Sequence, residues 1–392
     1  MQGEKIDNMG LPQEEGQMKR GFTTGTCSAA AAKAAAYKAL GKTVETVEIQ
    51  VPKGYDLKLA PEQDISYESS GIVPLSEEEG FCAIRKYSGD DPDVTNGVLV
   101  YAQVVLEPRC ASVEIDGGVG VGRVTMPGLP CQIGQAAINP VPRRMIGEAV
   151  RQAFDDMDYE GGCRVVISIP EGVELAKRTY NPQLGVTGGI SILGTSGIVE
   201  PMSEKALVDT IKVEMDVRKA LGAEYLVITP GNYGQTFIRE NFTDRDIYFV
   251  KCSNFIGETL DYAERLGFKG ILYVAHMGKM VKVAGGIMNT HSKYADGRME
   301  IMAAHTGRIA GKPELLQRIM SCITTDSAYE AVLEESRELA SQVVDSMLER
   351  VNHHLKLRTH ETMEVGAIMF SNKHGLLGQT DNAESLLAKI LK

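Results

Sequence analysis

Glycine and small hydroxyl residues are concentrated in short loops that could hold a ligand against the peptide backbone. The segment GGISILGTSG at 188–197 combines an apolar run with a Gly-Thr-Ser-Gly turn, and a helical pattern follows Pro201. A strand, a glycine turn and a helix in this order are typical of a site for a nucleotide or adenosyl group. We therefore predict a cofactor site made of Gly194, Thr195, Ser196, Gly197, Glu200, Gly231 and Asn232.

The segment GFTTGTC at 21–27 comes directly before an alanine-rich helical pattern. Backbone N–H groups and hydroxyls at the start of a helix can bind an anion. This makes Thr23, Thr24 and Thr26 candidate substrate-binding residues. The alternative is an ordinary N-cap, in which the hydroxyls only stabilise the helix.

Cations are placed where they could bind a polyanionic ligand. Arg143 and Arg144 follow two prolines at a helix start, where the helix dipole disfavours them unless an anion is bound. The segment 269–298 contains five basic residues and one acidic residue, Asp296, in a chain that is acidic as a whole. The alternatives are solvated arginines and a basic helix that faces an acidic neighbour.

A glycine-rich run, GGVGVG at 117–122, follows a strand-like segment. It continues as strand and turn rather than opening a helix, so it does not fit a dinucleotide-binding fingerprint. Two interpretations remain open, a hairpin that lies against a planar ligand and a plain tight hairpin.

Several functional classes lack support in this sequence. The net charge is −11 over 392 residues, which argues against a nucleic-acid partner. The seven cysteines are scattered and never form a C-x-x-C pair, so we expect no metal site in the protein and a reducing, cytoplasmic compartment. No apolar run is long enough to span a membrane. Hydrolase and phosphoryl-transfer motifs are absent from the sequence. The spacing of His353, His354 and His360 does not match that of metal ligands.

These loops must be positioned by helices and strands, and the predicted arrangement of these elements changes near residue 185. Before it, a helix is predicted at 24–40 and another at 143–156, with strands at 44–51, 65–73, 98–106, 112–116 and 164–169. After it, apolar strands at 189–193, 224–230, 246–252 and 270–276 alternate with amphipathic helices. This alternation favours a parallel sheet that binds ligands beyond the carboxyl ends of its strands. The last part is predicted as a long acidic helix near 326–351, a strand at 364–370 and a short terminal helix.

These patterns predict an α/β and α+β protein with two domains. Residues 1–18 form a flexible N-terminal segment. Residues 19–185 form a mixed α+β domain, in which helices accompany a mixed or antiparallel sheet. Residues 186–392 form a Rossmann-like α/β domain with a parallel sheet and a helical C-terminal part.

Six long and specific segments of the chain are GFTTGTC, DDPDVTNG (90–97), EIDGGVGVGRVTMPGL, AINPVPRRMI, TYNPQLGVTGGISILGTSGIVEPMSE (179–204) and HMGKMVKVAGGIMNTHS (276–292). In this order they resemble the CbiD family, from about residue 19 to about residue 378. The resemblance implies transfer of a methyl group from S-adenosylmethionine to ring carbon C-1 of cobalt-precorrin-5B. The product is cobalt-precorrin-6A, an intermediate of anaerobic cobalamin biosynthesis, and cobalt enters only as part of the substrate.

The implied substrate is a large macrocycle with carboxylates at its rim, which arginine and lysine bind strongly. We therefore extend the candidate substrate-binding set, which comprises Thr23, Thr24, Thr26, Arg123, Arg143, Arg144, Lys177, Arg178, His276, Lys279 and Lys282. Glu200 or Asp116 could lie near the sulfonium or the ribose of the donor. The ring carbon is itself the nucleophile, so no catalytic residue is assigned.

Two other functions remain open at this point. A nicotinamide-dependent reductase of a tetrapyrrole could use the same sheet, although the G-x-G-x-x-G fingerprint is missing. A non-catalytic carrier of a corrinoid intermediate is the third interpretation. The expected partners are the cobalt-precorrin substrate, a second copy of the chain in a homodimer, and other cobalamin-pathway enzymes in transient contacts, with no membrane.

Overall fold

The computed structural model describes residues 5–6, 9–13, 16–242, 247 and 249–391. Contacts divide the chain into two compact units, Met1–Ser203 and Glu204–Lys392, which are described one after the other. The protein is of mixed α/β type and contains several small sheets.

The first unit contains short strands and two long helices. Its strands are β1 (Lys5–Ile6), β2 (Pro12–Gln13), β3 (Gly21–Phe22), β4 (Val47–Gln50), β5 (Asp56–Leu59), β6 (Glu79–Arg85), β7 (Leu99–Glu107), β8 (Val113–Gly117), β9 (Gly120–Val121), β10 (Arg123–Val124), β11 (Gly162–Ser168), β12 (Val186–Thr187), β13 (Gly189–Ile190) and β14 (Ile198–Val199). Its helices are α1 (Thr24–Ala39), α2 (Tyr67–Ser70), α3 (Pro140–Asp155) and α4 (Gly172–Ala176), and a 3₁₀ helix covers Asn181–Leu184.

Helix α1 lies at the centre of this unit. Thr23 caps it by accepting a hydrogen bond from the Thr26 N–H at 3.2 Å, which confirms the predicted helix start. Its alanines are buried because neighbouring backbone comes very close, and a Cβ on Gly80 of β6 would lie 1.8 Å from the Ala35 carbonyl oxygen. The sheet beside it has the order β6-β7-β11-β8, and only the β11–β8 pair is parallel. The predicted mixed sheet is therefore confirmed.

The segment from residue 186 to residue 199 belongs to the first unit, although the sequence assigned it to the second. Its three short strands pair with first-unit strands, β12 with β10, β13 with β9 and β14 with β3. The apolar run at 189–193 is thus not a strand of the parallel sheet. Periodicity shows that such a run is buried, but it does not show which strand it pairs with.

The predicted flexible segment, residues 1–18, lies partly outside the described residues. Of the described part, Leu11 is fully buried, and the Lys58 N–H donates to the Met9 carbonyl at 2.9 Å. A Cβ on Gly10 would lie 2.2 Å from the Asp56 carbonyl oxygen. Residues 9–11 are therefore packed against β5 rather than loosely attached.

The second unit alternates strands and helices. Its strands are β15 (Tyr225–Thr229), β16 (Phe249–Lys251), β17 (Gly270–His276), β18 (Glu364–Ser371) and β19 (Gly375–Gln379). Its helices are α5 (Glu204–Ala220), α6 (Asn232–Asn241), α7 (Ile256–Arg265), α8 (Met277–Ala284), α9 (Arg298–Ile309), α10 (Pro313–Ser321), α11 (Thr325–Glu335), α12 (Arg337–Arg358) and α13 (Ala383–Ile390). Part of the predicted strand at 246–252 lies outside the described residues.

The sheet of this unit has the order β16-β15-β17-β18-β19. The first four strands are parallel, and β19 runs antiparallel to β18. Side chains alternate between two cores. Helices α5 and α7 to α12 contribute to the core on one face, while α6 and α13 contribute to the core on the other face.

Two element predictions are wrong. The segment predicted as a strand at 65–73 contains helix α2, because Ser66 and Ser69 form a capping box and Gly71 ends the turn with φ of 66°. The long helix near 326–351 is two helices, α11 and α12, separated at Ser336, which caps α12. Strand β19 was not predicted. Among the described residues, no helix combines the length and apolar character needed to cross a membrane.

Candidate functional site

The Gly194–Gly197 loop lies directly against the start of α1. Thr26 Oγ1 and the Thr23 N–H donate to the Gly197 carbonyl at 2.7 and 3.1 Å. The Gly25 N–H donates to the Leu193 carbonyl at 3.0 Å. Two segments predicted for different ligands thus hydrogen bond to each other, and the N-cap interpretation of GFTTGTC is confirmed for Thr23.

The outer side of this loop carries its polar side chains. Glu200 forms an ion pair with Lys53, whose N–H donates to the Ser196 carbonyl at 3.2 Å. Thr195 is exposed. The predicted cofactor residues therefore fall in two places, since Gly231 and Asn232 follow β15 in the second unit.

The glycine-rich run at 117–122 approaches other parts of the protein. A Cβ on Gly120 would lie 1.6 Å from the Ile169 carbonyl oxygen, and one on Gly122 would lie 2.3 Å from Val186 Cγ1. The glycines are required because the backbone packs tightly within the first unit. Neither hairpin interpretation is confirmed, because the strands around the run pair elsewhere, β8 with β11, β9 with β13 and β10 with β12.

Two of the predicted cations lie at the end of β8. Arg123 donates to both carboxylate oxygens of Asp116, at 2.7 and 2.9 Å, and to the Gly117 carbonyl. Arg143 donates to the Ile115 carbonyl at 2.6 Å. Burial alone would raise the pKa of Asp116, but the Arg123 hydrogen bonds and charge lower it below its ordinary value.

Three further cations are exposed on the first unit. Arg144 lies 3.8 Å from Glu148, and Lys177 lies 2.7 Å from Glu174. These carboxylates belong to the same helical segments as the cations. Arg144 and Lys177 therefore each have a carboxylate nearby, and such exposed pairs are weak. Arg178 is exposed as well.

Lys279 and Lys282 of α8 hold the following loop. Lys282, whose side chain is 5% exposed, donates to the Thr290 and Ala295 carbonyls at 3.2 and 2.7 Å. Lys279 donates to Asn254 Oδ1 at 2.5 Å. Burial lowers the pKa of both lysines, and the nearby positive charge of Arg298 lowers it further. The rest of the basic run is dispersed, since Lys269 and Lys293 pair with Glu224 and Glu204.

We expect Lys282→Met to lower the free energy of unfolding by about 1–3 kcal/mol. The substitution leaves two inward-facing carbonyls, those of Thr290 and Ala295, without their donor. Denaturant unfolding measures this loss, and amide exchange should accelerate at 290–296. The exposed Lys293→Met is the matched control and should change stability little. Equal stability of both variants would contradict a loop-holding role for Lys282.

A polar cluster lies at the carboxyl ends of β17 and β18. His276 Nδ1 accepts a hydrogen bond from the Gly278 N–H at 3.1 Å, and its Nε2 lies 3.6 Å from Asp326 Oδ2. Ser371, the last residue of β18, donates its hydroxyl to Asp326 Oδ1. Three residues that are far apart in the sequence thus meet at the edge of the sheet where parallel folds bind ligands.

Of this cluster, the sequence predicted only His276. Ser371 ends an apolar strand that was predicted, so a polar residue at a strand end was the available signal. Asp326 follows Thr324 and Thr325 at a helix start, where acidic residues are common for structural reasons alone. No pattern indicated that this helix start lies beside β17.

The chain is similar to known proteins over most of its length. A family model described as CbiD matches residues 11–201, and one described as CbiD, C-terminal domain, matches residues 289–381. The cobalt-precorrin-5B C(1)-methyltransferase of Ruminiclostridium cellulolyticum is 46% identical over 357 residues, which is 91% of this chain and 90% of the relative. The enzyme of the same name from Alkaliphilus metalliredigens is 43% identical and covers 96% of each chain.

A solved structure also matches. The crystal structure of a cobalamin biosynthesis protein (cbiD) from Archaeoglobus fulgidus is 31% identical to this chain. The match covers 75% of this chain and 86% of that chain, with a TM-score of 0.38.

Proposed function

The chain belongs to the CbiD family, and from this membership we propose that it methylates cobalt-precorrin-5B at C-1 to give cobalt-precorrin-6A. The methyl donor is S-adenosylmethionine, and the step belongs to anaerobic cobalamin biosynthesis. The observation that carries the proposal is the 46% identity to a cobalt-precorrin-5B C(1)-methyltransferase over 91% of this chain.

The chemistry of this transfer asks for placement rather than for an acid–base pair. The electron pair of the ring carbon forms a bond to the methyl group, while the sulfur–methyl bond breaks and its electrons remain on sulfur. The sulfonium is already activated, so correct alignment and exclusion of water supply the rate enhancement. This requirement is consistent with a site built from binding residues.

The predicted cations supply the chemistry that a carboxylate-edged macrocycle needs. Arg143 is half-buried and donates to one carbonyl, so most of its guanidinium donors remain for a ligand. Arg123 brings a second guanidinium to the same strand end. Lys282 and Arg298 share one carboxylate, Asp296, and their positive charges also act on Lys279, so this group of three carries excess positive charge. We assign the macrocycle carboxylates to these groups, together with the exposed Arg144, Lys177 and Arg178.

The proposal extends to the second unit, the compartment and the partners. We assign the second unit to the Rossmann-like class, because four parallel strands carry helices on both faces. All seven cysteines are free thiols, which is consistent with a reducing cytoplasm. A homodimer and transient contacts with neighbouring enzymes of the pathway complete the proposal.

The proposed reaction is tested by incubating the full chain with methyl-labelled S-adenosylmethionine and cobalt-precorrin-5B. We expect the label to appear on the macrocycle in a one-to-one ratio with S-adenosylhomocysteine. A parallel incubation with NADPH should show no cofactor oxidation. Oxidation of NADPH would indicate a reductase instead, and macrocycle binding without turnover would indicate a carrier.

A further inference from the structure

The connections of the second-unit sheet change face between β15 and β17. The chain leaves β15 through α6, which packs into one core, and leaves β17 through α8, which packs into the opposite core. The two strands are hydrogen-bonded neighbours. When neighbouring parallel strands send their connections to opposite faces, a crevice opens beyond their carboxyl ends. This topology predicts a ligand crevice with Gly231 on one side and His276 on the other.

The β15 side of this crevice is open and shaped by glycine. Apart from its chain neighbours, no described residue has an atom within 4 Å of a Cβ built on Gly231, whereas a Cβ on Gly234 would lie 2.9 Å from the Val274 carbonyl oxygen. Helix α6 thus begins directly beside β17. The neighbouring Tyr233 is 69% exposed and offers an aromatic face to a base.

The β17 side presents a histidine with a fixed tautomer. Because Nδ1 of His276 accepts the Gly278 N–H, the neutral ring carries its proton on Nε2. The ring is further held by Phe370, which it meets edge-on at a centroid distance of 5.7 Å, and Phe370 stacks on Phe237 of α6. Nε2 is therefore oriented towards Asp326.

Asp326 has one acceptor oxygen engaged and one still available. Ser371 donates to Oδ1, and Oδ2 has no hydrogen-bond partner among the described residues, since His276 Nε2 remains 3.6 Å away. The Asp326 side chain is 29% exposed. A carboxylate repels the carboxylates of a macrocycle but accepts hydrogen bonds from neutral hydroxyls. Ribose hydroxyls are the matching donors.

We propose that the carboxyl ends of β15, β17 and β18 bind the nucleoside part of the methyl donor, with Asp326, beside the ends of β17 and β18, accepting hydrogen bonds from the ribose hydroxyls. The inference rests on the proposed function for the identity of the donor. It moves the donor site from the Gly194–Gly197 loop, whose backbone groups bind the start of α1, to the loops after β15 and β17. Asp326 is a binding residue, and Ser371 is a positioning residue that acts through it.

The test is Asp326→Asn, which keeps the shape and the Ser371 hydrogen bond but removes the charge. Calorimetry on the full chain should show affinity for S-adenosylhomocysteine about tenfold to hundredfold weaker. The loss should be equal for S-adenosylmethionine, because the two compounds share the ribose. The matched control is Asp216→Asn on α5, a half-buried carboxylate that also accepts a hydroxyl, from Tyr262 at 2.6 Å. It should bind both compounds normally.

The outcomes separate the site from the function. Unchanged affinity in Asp326→Asn, in a chain that transfers methyl groups, would overturn the site alone. A loss confined to S-adenosylmethionine would place the carboxylate at the sulfonium and overturn the ribose assignment. Absence of donor binding by the unaltered chain would overturn both proposals.

A second measurement does not depend on any variant. Hydrogen exchange of the unaltered chain with and without S-adenosylhomocysteine should show protection at 230–234 and 276–278. Protection confined to 193–197 would return the donor to the first-unit loop and overturn the crevice.

Discussion

Asp93→Ala is expected to lower the free energy of unfolding by about 3–5 kcal/mol. Asp93 lies 2.5 Å from Lys86 Nζ, and the Lys86 side chain is only 2% exposed. Ser88 donates to the same carboxylate, and the Thr95 N–H and hydroxyl donate to its other oxygen. Removing the carboxylate leaves a charged ammonium buried without its counterion.

Denaturant unfolding of the full chain measures this effect, with exposed Asp64→Ala as the matched control. The control should change stability by less than about 0.5 kcal/mol. The double variant Lys86→Met/Asp93→Ala should lose less than Asp93→Ala alone, because no charge then remains to be buried. A double variant that is as unstable as the single one would show that the packing of this loop, rather than the ion pair, carries the stability.

The same ion pair sets a pH dependence. Burial alone would raise the pKa of Asp93, but the charge of Lys86 and the hydrogen bonds from Lys86 and Thr95 lower it below the ordinary value. A carboxyl group whose pKa is lowered in the folded state contributes its full stabilisation of the fold when the pH is above its unfolded pKa of about 3.9. This contribution is lost as the pH falls through the lower folded value. Acid unfolding of Asp93→Ala should therefore lack this component.

Gly197→Ala is expected to destabilise the chain by roughly 2–5 kcal/mol. Gly197 has φ of 80°, which costs other residues about 1–2 kcal/mol. A Cβ there would also lie 2.5 Å from Val51 Cβ, and such overpacking adds about 1–3 kcal/mol. A loss of donor affinity in a Gly197 variant would then follow from disturbed folding.

The chain offers a matched control for the backbone cost alone. Gly188 has a similar φ of 81°, and in the described part of the chain no atom beyond its own neighbours lies within 4 Å of its Cβ position. Gly188→Ala should therefore cost only about 1–2 kcal/mol. Thermal and denaturant unfolding compare the two variants directly. Equal losses would mean that the contact with Val51 relaxes without cost.

Local sequence patterns predicted individual helices and strands well, but they predicted poorly which elements lie next to each other. The hydroxyl-rich start of α1 and the prolines in the first turn of α3 specify helix starts through short-range hydrogen bonds and fixed φ, so both helices are confirmed. The apolar run at 189–193 has no local property that selects a strand partner. It was assigned to the parallel sheet, whereas β13 pairs with β9.

The candidate site depends even more on long-range pairing. Gly231 was predicted because it follows an apolar strand, and His276 because it lies at the end of one. Asp326 and Ser371 could be added only once β17 and β18 were known to be parallel neighbours with His276 opposite Phe370. Likewise, the excess of basic residues around Lys282 predicts, from the sequence alone, a site for an anionic ligand. In the structure, the Lys282 ammonium group donates hydrogen bonds to two loop carbonyls, which account for part of this excess.

The contact between Thr26 and Gly197 has a consequence for the order of folding. The two residues are 171 positions apart, and β3 and β14 pair beside them. During synthesis, the start of α1 must wait for its partner until residue 199 has left the ribosome, although the helix itself can form early. Such non-local closure is slow compared with helix formation. A nascent chain that ends at residue 185 would lack these hydrogen bonds. Premature termination there should therefore give an incompletely folded chain that chaperones bind or proteases degrade.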